Sequence, residues 1–237
     1  MYTRVPQSSD RLLQVQKSAG SIRVYFKGKR LIDHSEAQPC VTVGKGQGSI
    51  QDWHANFKIK DQVQQKHVLR QLKVTESDER QVVLQAENGI VIQCTVDAGE
   101  LFIRLQDSKG NVPDFNRLWL HLAAEEREHL YGCGEQYSRL DLRGSKVPLW
   151  VEEQGVGRGK GLITQFANIH SHAGGHWYST YFPATSFVSS KGWYCYADAS
   201  AYAEFDFTGR QQYSLHFGRC RYSELVLRTV FRQPQLH

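Results

Sequence analysis

The 237-residue chain carries 29 Lys and Arg against 24 Asp and Glu, a formal net charge of +5. That length holds one large domain or two small ones, and cannot fit a (β/α)₈ barrel of about 250 residues beside anything else. Hydrophobic residues at 40% and aromatics at 11% describe a soluble globular chain with a sizeable core. Scattered basic residues exclude a nucleic-acid footprint, and no apolar run approaches the roughly 20 residues that span a bilayer.

The chain alternates far more than it follows a helical period. Ser21–Phe26 puts Ile22, Val24 and Phe26 on one face, and Arg30–Asp33 follows a Lys-Gly-Lys turn, a hairpin signature. Further strands are predicted at Cys40–Val43, Trp53–Ile59, Leu69–Glu76, Arg80–Ala86, Ile90–Asp97, Glu100–Gln106 and Leu118–Leu122. Turn residues separate them, including the Gly44 to Gly48 run and Asn88-Gly89, the best hairpin turn of the chain.

Aromatic-rich strands are predicted at Trp177–Phe182, Ser186–Val188, Gly192–Ala197, Ala203–Thr208 and Ser214–Gly218. Ser223–Phe231 spaces Leu225, Val226, Val230 and Phe231 for one helical face behind a Ser223 cap. The expectation is an all-β chain, an antiparallel β-sandwich over residues 1–222 with a short C-terminal helix in a tail over 223–237. No internal repeat or low-complexity tract interrupts it.

Met1 to Ala19 has no apolar core of the kind a secretory signal needs. Five widely spaced cysteines, odd in number and without a CxxC pair, argue against a zinc site or a disulfide framework. Both point to a cytoplasmic location.

Chemistry-bearing residues concentrate between Tyr131 and Phe187. Tyr131-Gly-Cys-Gly-Glu-Gln-Tyr, Leu140-Asp-Leu-Arg-Gly, Pro148-Leu-Trp and Glu153-Gln-Gly-Val-Gly-Arg-Gly-Lys-Gly follow one another. Such glycine content lets a backbone approach a ligand closely, and equally suits a surface loop that closes two sheets. Neither the dinucleotide fingerprint nor the P-loop fits: six residues from Gly155 lead to Lys160, and Gln154 stands where a P-loop needs glycine. No cofactor is expected. His170, His172 and His176 could face a metal, but no carboxylate or thiol at helpful spacing joins them, and a polar loop is the simpler account. Glu135, Glu152 and Glu153 could supply a glycosidase carboxylate pair, which requires a separation that spacing alone does not establish. Cys133 reads as a small buried thiol rather than a nucleophile.

These motifs resemble the N-terminal region of glycoside hydrolase family 31, most strongly its sulfoquinovosidase branch. The resemblance continues through Ala173-Gly-Gly, Phe182-Pro183, Thr185-Ser-Phe-Val-Ser and Phe205-Asp-Phe, with Asn56-Phe-Lys-Ile-Lys-Asp and Arg117-Leu-Trp-Leu-His-Leu-Ala-Ala upstream. It implies a galactose-mutarotase-like β-sandwich that precedes a (β/α)₈ barrel, and the catalytic aspartates of the family lie on that barrel. The chain is therefore expected to end where the barrel would begin and to be inactive alone. Its expected partners are that barrel, as an intramolecular neighbour, and a carbohydrate, a sulfoquinovoside or other α-glycoside. The resemblance also makes the glycine-rich segment the loop that reaches the substrate pocket, with Glu135, Glu153, Gln154 and Arg158 as substrate-binding residues. The alternatives are that Glu135 and Arg158 pair to order the loop, and that the chain is a stand-alone carbohydrate-binding or regulatory module.

Overall fold

The computed structural model describes residues 12–53, 56–108, 115–159, 161–171, 173–199, 202–218 and 227–231. Strands come first as β1 (Leu13–Ser18), β2 (Ser21–Phe26), β3 (Lys29–Ser35), β4 (Val41–Trp53) and β5 (Asn56–Val68). A four-stranded meander follows, β6 (Leu72–Ser77), β7 (Gln81–Ala86), β8 (Ile90–Asp97) and β9 (Glu100–Asp107), and after it comes β10 (Arg117–Ala123). Then come β11 (Leu130–Gly134), β12 (Lys146–Leu149), α1 (Leu162–Ser171), β13 (Pro183–Ser189) and β14 (Trp193–Ala197). The chain closes with β15 (Ala203–Asp206), β16 (Gln212–Gly218) and β17 (Leu227–Phe231).

Alternation explains how these strands pack. β2 and β7 each bury every second residue, and β16 buries Tyr213, Leu215 and Phe217 on one face. A six-stranded sheet runs β12-β15-β16-β10-β4-β5 and an eight-stranded sheet runs β11-β13-β14-β17-β9-β8-β7-β6. Their apolar faces meet: the Phe187 ring of β13 lies 5.9 Å from Phe205 of β15 and 5.1 Å from Phe207. A three-stranded sheet, β1-β2-β3, adds Leu13, Val24, Phe26 and Leu31 to the same core. The architecture is an all-β, antiparallel sandwich.

A buried carboxylate ties the layers together. Glu128 accepts hydrogen bonds from Trp193 Nε1 (2.8 Å), Tyr213 OH (2.6 Å), the Glu125 backbone N–H (3.0 Å) and the Ser189 hydroxyl. Lys29 Nζ of β3 lies 3.4 Å away and also reaches Glu125 at 2.6 Å. Cys40, Cys94, Cys133 and Cys195 are buried free thiols, and burial pushes Cys94 up to about 12. None of the four supplies a thiolate near neutrality. Cys220 lies outside the described residues.

Three expectations are corrected. Gly44 to Gly48 is not a turn but lies inside the 13-residue strand β4, which pairs along β5 in a long hairpin. A side chain at Gly44 would press on the Trp119 ring, and one at Gly46 on the backbone of Gln62 and Val63 at a bulge. The glycines make room for neighbours distant in sequence. Trp177–Phe182 forms turns rather than a strand, and the strand starts at Pro183. The predicted terminal helix is overturned from Leu227 onward, because that stretch is β17, paired with β14 on one side and β9 on the other. Residues 223–226 lie outside the described residues. Backbone pairing explains the switch: without β17 both neighbours would expose an unpaired edge in the middle of the sheet. The helix that does form among the described residues, α1, lies in the glycine-rich region instead.

Candidate functional site

Three consecutive residues with positive φ place the first candidate. Gly132 (118°), Cys133 (59°) and Gly134 (87°) turn the end of β11 left-handed, where the β11–β13 register also shifts. Such a run is costly for residues with a Cβ, and a side chain at 134 would collide with the Phe182 carbonyl oxygen. The Glu135 N–H then donates to that same carbonyl at 3.0 Å, which fixes Glu135 beside Phe182.

The other candidates come to the same place. Tyr137 OH donates to Glu135 Oε2 at 2.7 Å, and the Arg158 guanidinium lies 4.8 Å from the centroid of the Tyr137 ring. Arg158 also donates to the Ser179 carbonyl, while its Nε is buried with no hydrogen-bond partner. Tyr181 OH donates to Glu153, and that bond raises the Tyr181 pKa. Tyr181 directly precedes Phe182, whose carbonyl accepts the Glu135 N–H, so both tyrosines belong to one neighbourhood. Gln154 contributes backbone: its carbonyl lies so close to Gly175 that no side chain fits there.

Glu135, Glu153 and Arg158 thus assemble around two tyrosines, with Phe182 exposed beside them. Glu135 and Arg158 are joined through Tyr137 rather than directly. Glu152 plays a different part. It is buried, accepts from Ser179 Oγ at 2.6 Å, and pins the loop with a Glu152 N–H to Thr180 carbonyl bond of 2.9 Å. Each of the three glutamates has its own hydroxyl partner, so they do not form a shared-proton dyad. Chemically, the exposed Glu135 and half-buried Glu153 carboxylates can accept from sugar hydroxyls, the guanidinium can donate to hydroxyls or anions, and the aromatic edges offer apolar surface.

The Asp141-Leu-Arg-Gly motif is structural. Asp141 accepts from His129 Nδ1 (2.7 Å) and from the backbone N–H groups of Leu130 (3.2 Å) and Arg143 (3.0 Å). Arg143 in turn donates to the Phe207 carbonyl and to that of Gly209 at 2.8 Å, clamping the loop to the end of β15. His176 stacks on Tyr178 at 5.1 Å and His170 packs on Phe166 at 4.1 Å, while His172 lies outside the described residues. Among the described residues, no three His, Cys, Asp or Glu side chains group as metal ligands.

A second polar cluster lies on the outer face of the six-stranded sheet. Arg117 grips Asp61 through Nε and the terminal nitrogen, at 2.9 and 2.6 Å, with His216 at 3.8 Å from the same carboxylate. His216 stacks on Trp119 at 4.6 Å, and Lys66 Nζ lies 4.6 Å from that indole. These contacts link β5, β10 and β16 across the outer face of the sheet.

Sequence reasoning missed Tyr137, Tyr181 and the helix. The tyrosines were legible only as aromatics of a motif and of a supposed strand. With the geometry in place, comparison with known proteins is decisive: residues 3–162 match the Glycosyl hydrolase 31 N-terminal galactose mutarotase-like domain. The chain belongs to that family. Among curated relatives of this family 31 domain, the sulfoquinovosidase of Escherichia coli (strain K12) is 38% identical over 221 residues, 91% of this chain and 32% of the relative. The sulfoquinovosidase of Agrobacterium fabrum (strain C58) is 35% identical over 184 residues, 76% of this chain and 26% of that protein. A family 31 sulfoquinovosidase from E. rectale, solved with the aza-sugar inhibitor IFGSQ, superposes with a TM-score of 0.80 at 30% identity, covering 93% of this chain and 32% of that structure. The family 31 domain thus spans about a third of the length of the relatives it matches.

Proposed function

We propose that this chain serves as the N-terminal domain of a retaining α-glycosidase of the sulfoquinovosidase kind. In that role the sandwich buttresses a catalytic barrel, and the segment from Glu135 to Arg158 lines one wall of the substrate pocket. The observation that carries this reading is the convergence of Glu135, Glu153 and Arg158 around Tyr137 and Tyr181 on one exposed surface. The chain performs no bond cleavage in this scheme. Its carboxylates accept hydrogen bonds from sugar hydroxyls, and the half-buried Arg158 guanidinium beside Tyr137 supplies positive charge to the same wall. Tyr137 holds Glu135 and Arg158 in position at once, so neither has to be ordered when the sugar arrives.

The test joins this chain to the remainder of the E. coli relative in place of the matching residues and assays hydrolysis of a chromogenic α-sulfoquinovoside. The joined protein is expected to turn over and the 237-residue chain alone to be inactive. Glu135→Gln in the joined protein is expected to lower kcat/KM about tenfold, the effect of weakening one charge-assisted hydrogen bond by roughly 1.4 kcal/mol. Unchanged kcat and KM would remove Glu135 from the pocket.

Tyr181 and Phe182, 51% and 64% exposed beside the cluster, favour a second reading, a stand-alone carbohydrate-binding module that stacks sugar rings. Calorimetry of the isolated chain with free sulfoquinovose and with glucosides separates the two. Saturable binding lost in Tyr181→Ala would support the module.

A further inference from the structure

The exposed apolar surface of the molecule is concentrated in one stretch of chain. Among the described residues, sixteen large hydrophobic side chains are exposed, and ten of them fall between Tyr137 and Phe182. Four belong to α1: Leu162 at 83%, Ile163 at 71%, Phe166 at 65% and Ile169 at 77%. Their spacing, i, i+1, i+4 and i+7, puts them on one side of the helix. α1 buries one residue, Thr164, whose side chain fills the space beside Gly157. Its far end is held by the Asn168 Oδ1 bond to the Gly174 N–H at 2.9 Å and by the Ala173 N–H on the Ala167 carbonyl at 3.2 Å. The helix is therefore anchored with its apolar side turned to solvent.

Large contiguous apolar patches mark interaction sites.

We propose that α1 is the apolar anchor by which this domain docks onto the catalytic portion that its relatives carry outside the matched region. The inference rests on the proposed function and specifies its interface. α1 contains no Asp, Glu, Lys or Arg, which disfavours an anionic membrane or nucleic-acid partner, since helices that serve those surfaces are rich in Lys and Arg. The buried side of α1 adjoins the substrate cluster where Thr164 packs beside Gly157, one residue from Arg158. Whatever covers α1 therefore borders the pocket, as the catalytic portion must if Glu135 and Arg158 line it. The relatives are about three times as long as the matched region, which leaves ample chain for the purpose.

Hydrogen exchange of the α1 amides decides the matter, measured in the 237-residue chain and in the same chain joined to the remainder of the E. coli relative. Joining is expected to slow exchange over residues 162–171 at least tenfold. The Ile163→Lys, Phe166→Lys double variant is expected to abolish that slowing while leaving the thermal midpoint of the 237-residue chain unchanged, since both side chains are exposed there. Unaltered α1 exchange on joining would overturn the proposal. So would slowing that is already present in the 237-residue chain and grows with its concentration as a dimer sediments, because the occupant would then be a second copy. Slowed exchange in a joined protein that hydrolyses nothing would support the docking face and count against the glycosidase reading alone.

Discussion

Glu128 shows how much one side chain can organise. Its carboxylate is fully buried and takes donors from β13, β14, β16 and its own turn, with Lys29 of β3 beside it. Burial alone would raise its pKa, yet the hydroxyls of Ser189 and Tyr213 and the charge of Lys29 hold it below the usual carboxylate range. The ionised form is therefore the one the fold is built around. Glu128→Gln removes the charge while keeping the volume, and turns an NH₂ toward groups that are themselves donors. It is expected to cost about 3–5 kcal/mol, the scale for breaking a buried charged network, read as a fall in the urea midpoint at pH 7. A loss below about 1 kcal/mol would mean that the donors repair themselves with water. Nothing in the local sequence announced this role, because its partners stand at positions 29, 189, 193 and 213. Asp141 was legible as part of a motif, but its task of holding Leu130, Arg143 and His129 needed the fold.

Elements reveal why some of the architecture could be read from sequence and some could not. Asn88-Gly89 joins two alternating runs, and the turn forms there with Gly89 at φ 80° because every term in that decision is local. Gly44, Gly46 and Gly48 resemble a turn by composition, yet they lie in β4, where Gln65 and Trp119 crowd Gly44 and the Gln62 backbone crowds Gly46. The decision was taken by residues up to 75 positions away. β17 likewise follows its neighbours β9 and β14 over the helical spacing of its own residues. The left-handed end of β11 is the element on which the substrate cluster depends. Gly134→Ala combines a positive φ with a Cβ driven into the Phe182 carbonyl, so β11 and β13 must part at that point. The expected cost is about 1–3 kcal/mol, which for a chain of this size lowers the thermal midpoint by several degrees. Amide exchange at Glu135 should quicken with it, since its N–H bond to Phe182 is lost. Unchanged exchange at Glu135 would show that the loop is held from Arg158 and Ser179 instead.

At the scale of the whole molecule, acid separates two classes of titrating group. His34, His121 and His216 all have pKa values lowered, each chiefly by burial. His34 is neutral by its bonds, accepting the Cys40 N–H at Nδ1 and donating from Nε2 to the Arg70 carbonyl. His216 is lowered to about 4, with Asp61 opposing the shift and Arg117 and Lys66 adding to it. The folded state thus resists protons that the unfolded chain accepts below about pH 6.5. Stability from these histidines is complete above that pH and is lost as the pH falls toward 4, with a slope of up to about 1.4 kcal/mol per pH unit for each proton excluded. Carboxylates held below their ordinary range, Asp61, Glu128, Asp141 and Asp206, contribute stability that survives to lower pH and is lost only beneath about 4. Urea midpoints between pH 8 and 5 should therefore decline before any carboxylate titrates. His216→Gln forfeits the stack on Trp119 and lowers stability at every pH, but it should also flatten the decline between pH 6 and 5 by close to one proton. A parallel downward shift with the slope intact would acquit His216 and assign the acid response to His34 and His121, the two histidines that flank the β4–β10 pairing.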